Sequence, residues 1–136
     1  MKKLLTVLSL LFVFTFAYSQ DNIPVLIYQC TEESIQVSDG EWESATVSYF
    51  IRVDANKSII EIDNVIKSKF YIRSAESIVT KPDEDGDTYT TRTFLAYDEE
   101  GLDCGISITT YELFNTTFFL AVYNDILMAW STSLMH

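Results

Sequence analysis

The residues able to do chemistry in this chain are few. The only histidine is His136, the last residue, so a general base poised near neutral pH has no obvious source, and neither does a His-based metal site. Two cysteines, Cys30 and Cys104, stand 74 positions apart, a spacing that matches no metal motif. Each shares strand parity with apolar neighbours: Cys30 with Leu26 and Tyr28, Cys104 with Leu102, Ile106 and Ile108. Both are therefore expected to point inward. In an oxidising compartment they read either as one disulfide or as two buried thiols.

Carboxylates are the remaining chemistry. Asp83, Glu84, Asp85 and Asp87 surround Gly86, and Asp98, Glu99, Glu100 and Asp103 surround Gly101. An EF-hand reading of the first cluster fails. Counting from Asp83, position 6 is Thr88 where glycine is needed, and position 12 is Phe94 where glutamate is needed. The second cluster occupies a tight hairpin where solvent keeps the acids ionised, a poor arrangement for paired-carboxylate hydrolysis. No catalytic residue, metal site or cofactor is expected, and the chain is not read as an enzyme.

The elements that carry these residues follow a period of two. Val47, Tyr49, Ile51 and Val53 alternate with polar or outward residues, as do Ile60 and Ile62, Phe70 and Ile72, Cys104 to Ile108, and Ile126, Met128 and Trp130. Segments 23–30, 34–37, 44–53, 58–65, 68–80, 88–98, 102–111, 117–123 and 126–134 are the strand candidates, with 34–37 the weakest. The best helical window, 64–77, is broken by Phe70-Tyr71-Ile72. Turn signals at Ser38-Asp39-Gly40, Asp54 to Lys57, Pro82 to Asp87, Asp98 to Gly101 and Asn124-Asp125 fall at hairpin spacing, the last suiting a type I′ turn. The expectation is an all-β, single-domain antiparallel meander of about eight strands, closed as a small barrel or a two-layer sandwich. Strands 88–98 and 117–123 carry apolar residues on both faces. Phe94 and Ala96 oppose Leu95 and Tyr97, and Phe118, Leu120 and Val122 oppose Phe119, Ala121 and Tyr123, so one apolar face of each strand is expected to be covered by a neighbouring segment or to form a binding patch.

Lys2 and Lys3, the apolar run from Leu4 to Phe16 and Ala17-Tyr18-Ser19 read as a signal peptide cleaved before Gln20. Residues 20–136 would then form one exported domain, periplasmic or secreted, with no transmembrane anchor in the mature chain. All twenty acidic residues and seven of the nine basic ones follow residue 19, so the mature charge is 7 − 20 = −13. Such a chain repels nucleic acid. The leading expectation is a non-catalytic binding protein that masks a basic protein through the acidic loops at 83–87 and 98–103. The alternative is a lipocalin-like barrel holding a small apolar ligand. Trp130 shares the parity of Met128 and is expected in the core. Trp42, between Glu41 and Glu43, either caps a barrel end or stands exposed.

Overall fold

The computed structural model describes residues 23–82, 84 and 86–135. The leader, Gln20, Asp83, Asp85 and His136 lie outside the described residues. Eight strands form one closed barrel in chain order: β1 (Leu26–Val37), β2 (Glu43–Asp54), β3 (Ile59–Ile62), β4 (Ser68–Pro82), β5 (Thr88–Asp98), β6 (Asp103–Tyr111), β7 (Thr116–Val122) and β8 (Ile126–Leu134). Every neighbouring pair is antiparallel, and β1 closes the barrel against β8. Of the two closures open to a meander this long, the chain takes the barrel, which leaves no sheet edge along most of its length. No helix among the described residues is long and apolar enough to cross a membrane.

Alternation decides the inside. Ile51, Ile60, Ile62, Phe70, Ala96, Ile106, Ile108, Phe119, Ala121 and Trp130 converge as the core. Phe119 meets the edge of Tyr28 at 5.1 Å, and Phe70 meets Trp130 at 6.3 Å, both edge-on. The space left between Ile60, Ile62, Phe70, Ile106, Phe119, Leu120 and Trp130 is about 10 Å³, no more than one water. Side chains therefore fill this part of the barrel, as in other eight-stranded barrels of small bore.

A second inner row is polar. Thr80, Thr90, Thr110, Thr117 and Thr132 stand opposite one another across β4 to β8, and the row continues to Cys30 on β1 and Tyr49 on β2. Thr80 and Thr90 hydroxyls lie 3.1 Å apart, Thr117 donates to the Thr110 hydroxyl at 3.3 Å, and Thr132 donates to the Thr117 carbonyl at 2.7 Å. The hydroxyls thus satisfy one another where the apolar core ends.

Three local features depart from the sequence reading. Segments 23–30 and 34–37 are one strand, because a bulge between Cys30 and Glu32 carries β1 through without a turn. The extra residue reverses strand parity, so Glu33, opposite Trp130, faces inward. The type I′ turn sits at Ser38-Asp39, with φ of 50° and 61° and Gly40 N donating to Val37 O at 3.0 Å. Asn124 and Asp125 have no positive φ, so their loop is of another type. Finally, β3 has only four residues, so β4 beyond Ile72 pairs with β5 alone. Two bulges, Lys81 and Pro82 guard that free edge.

Candidate functional site

In an antiparallel meander successive connections alternate between the two ends of the barrel. Connections 38–42, 63–67, 99–102 and 123–125 form one end, called here the upper rim. Connections 55–58, 83–87 and 112–115 form the lower rim. The two acidic loops singled out from sequence are consecutive connections. They lie at opposite ends of β5, an eleven-residue strand roughly 35 Å long. One partner surface cannot use both.

The lower loop is partly structural. Asp87 is only 4% exposed. Its Oδ1 accepts from Thr88 N at 2.7 Å and from Leu113 N at 3.1 Å, tying the β4–β5 loop to the β6–β7 loop. Glu84 is exposed on the same loop.

The upper rim is built from four short, internally bonded turns. Asp98 organises the β5–β6 turn. Its Oδ1 accepts from Glu100 N at 3.0 Å and Leu102 N at 2.9 Å, and its Oδ2 accepts from the Tyr123 hydroxyl at 2.9 Å. Burial alone would raise the Asp98 carboxyl, but these donors outweigh it and hold the group below the usual carboxylate range. The Tyr123 phenol is pushed up, first by burial and then by its bond to Asp98. Gly101 takes φ of 83°, a conformation that β-carbon-bearing residues resist. Asp98 is thus a positioning group, and Glu99 and Glu100 are the acids it presents to solvent.

The β3–β4 turn is fixed in the same way. Lys67 N donates to Asn64 O at 3.1 Å, Ser68 N donates to Asn64 Oδ1 at 3.1 Å, and Lys67 pairs with Asp63. The Lys67 bond and charge hold the Asp63 carboxyl low. This scaffold turns Val65 and Ile66 outward at 98% and 79% exposure. Trp42 in the β1–β2 loop and Leu102 in the β5–β6 loop are also exposed. Ser38 N donates to Asp125 O at 2.7 Å, which joins the first loop to the last. The rim therefore carries apolar tips on three of its four loops. Asp39, Glu41, Asp63, Glu99, Glu100 and Asp125 are distributed over all four, with Lys67 the one loop cation.

The comparisons add no identity. No protein-family model, curated protein or solved structure matches the chain. The upper rim must be read from its own chemistry.

Inside the barrel, the cysteine bridge is corrected. Cys30 and Cys104 are both buried, but both are free. The ladder row through Cys30 meets β6 at Thr110, six residues from Cys104, or roughly 20 Å of strand. The thiols stand on separate walls. Cys30 donates to Glu32 O at 3.4 Å, and Cys104 lies beside Tyr123. Burial pushes both thiols up, which leaves them inert. Next to Cys30, the Tyr49 hydroxyl donates to the inward Glu33 carboxylate, and burial, then this bond, raises the Tyr49 phenol.

On the outer wall, a cleft of about 190 Å³ is lined by Arg52, Glu61, Asp63, Lys67, Ser68 and Lys69. Arg52 and Lys69 both lie against Glu61, at 3.8 and 3.7 Å, so its charges are largely answered within the cleft. The outer residues Leu95, Phe118 and Val122 are exposed rather than covered by any described segment. Val65 and Ile66 were missed from sequence because Val65 ends a plausible strand, 58–65. The available signal was Asn64, a turn former immediately before two apolar residues and Lys67.

Proposed function

We propose that the chain is an exported, non-catalytic binding protein whose upper rim docks on a basic protein surface. The observation that carries this reading is the rigid display of Val65 and Ile66 within a rim that bears acids on all four loops. Apolar side chains held almost fully in solvent on a hydrogen-bonded turn contribute nothing to folding, and they stand ready to be buried by a partner. The surrounding acids supply steering toward a cationic face and discriminate against acidic ones. In this reading loop 98–103 forms the docking face together with Val65, Ile66 and Trp42, and loop 83–87 lies at the other end.

The test uses association kinetics with a small basic globular protein, lysozyme, as probe. Charge reversal at Glu99, Glu100 and Asp125 together should slow association about tenfold at low salt. Val65→Ser with Ile66→Ser should instead speed dissociation. Reversal at Glu84 and Glu112 on the lower rim is the control. If the lower-rim variant slows association and the upper-rim variant does not, the docking face is wrongly assigned.

A further inference from the structure

The lower half of the barrel holds a cation, Arg92, that no described carboxylate answers. Arg92 belongs to the inner face of β5. Its row runs Ile78, Arg92, Ile108, Phe119, and both Ile108 and Phe119 are core residues. Arg92 is nevertheless exposed, as is Ile78 at 48%. The cause is β3. Its pairing with β4 stops at Tyr71, so no strand closes the wall beside the outer half of the β4–β5 hairpin, and the inner face of that hairpin opens to solvent.

Arg52, Lys67, Lys69 and Arg73 each lie against a carboxylate, but no described carboxylate pairs with Arg92. Tyr28 reaches the same place from β1. Its ring packs on Phe119, the residue is only 7% exposed, and its hydroxyl has no protein hydrogen-bond partner among the described residues. Arg92 and Phe119 flank Ile108 in one inner row, and Tyr28 packs on Phe119, so both groups border the same stretch of wall; burial raises the Tyr28 phenol and the charge of Arg92 acts against that. Both are hydrogen-bond donors, and a guanidinium fork matches a planar carboxylate in two-point fashion. Beside them are exposed inner-face hydrocarbons, Ile78 opposite Arg92 and Leu26 two residues before Tyr28. The space among Ile60, Ile62, Phe70 and Trp130 is about 10 Å³ and admits no chain, which leaves Ile78 and Leu26 as the exposed surface for an apolar body.

We propose that Arg92 and Tyr28 form an anion subsite in the lower mouth of the barrel, which takes the carboxylate of a short amphiphilic acid. The site lies away from the upper rim and is independent of docking there.

The test is a titration of the folded chain with octanoate, with octanol and inorganic phosphate as parallel probes, followed by NMR of the Arg92 side-chain N–H. Octanoate should bind saturably, and octanol should bind about tenfold more weakly because it cannot satisfy the guanidinium. Arg92→Gln should weaken octanoate about tenfold and Tyr28→Phe about threefold, as expected for losing a charged and a neutral donor, with melting temperatures retained. Absence of saturation by octanoate, equal binding of octanol, or unchanged binding by Arg92→Gln would overturn the subsite. Phosphate binding as tight as octanoate would overturn the amphiphile assignment.

Discussion

Asp98 offers the sharpest test of how the upper rim is held. One carboxylate accepts three hydrogen bonds, from Glu100 N, Leu102 N and the Tyr123 hydroxyl. Each bond to a charged acceptor contributes about 1.5–3 kcal/mol when shielded. Asp98 is half-buried, so solvent screening brings the sum to about 2–3 kcal/mol. Asp98→Ala should therefore lower the melting temperature by about 10 °C in a domain of this size. Asp98→Asn keeps an oxygen for the two amides and should cost about 1 kcal/mol. The sign with pH follows from the depressed carboxyl. Its contribution is complete above the unfolded value of about 3.9 and is lost as pH falls through the lower folded value. Urea denaturation of wild type and both variants at neutral and strongly acidic pH measures this. The gap between wild type and Asp98→Ala should narrow in acid. A gap under about 0.5 kcal/mol at neutral pH, well below the worth of one such bond, would refute the assignment, as would one that ignores pH.

Three further outcomes follow from the interior. Thiol titration of the denatured, unreduced protein should find two reactive groups, Cys30 and Cys104, and a single bridged pair would contradict the free, buried thiols. Phe119→Ala removes a fully buried ring that packs on Tyr28 and should cost about 3–5 kcal/mol by chemical denaturation. Thr132→Val deletes the donor to the Thr117 carbonyl while keeping shape, and should cost about 1 kcal/mol on the same assay; no change would show that the threonine row contributes nothing to stability.

The barrel was legible because its core strands obey strict alternation. Ile51, Ile60, Ile62, Phe70, Ile106 and Trp130 all fall on the faces that parity assigns. Parity failed at β1, where one extra residue turns Glu33 inward and nothing between Gln29 and Ile35 marks the bulge. It also failed at Leu102, which belongs to a turn and is exposed. The separation of loops 83–87 and 98–103 was implicit in the meander itself, since neighbouring connections must take opposite ends. The exposed Arg92 was not legible, because it depends on how early β3 stops pairing, a property of four residues and their register.

The docking claim is tested most directly by amide NMR mapping of the isotope-labelled chain titrated with lysozyme. Shifts should concentrate in residues 38–42, 63–67, 99–102 and 123–125, with Val65 and Ile66 among the largest, while 55–58 and 112–115 stay still. Shifts centred on the lower rim, or spread evenly over the acidic surface, would contradict an upper-rim docking face.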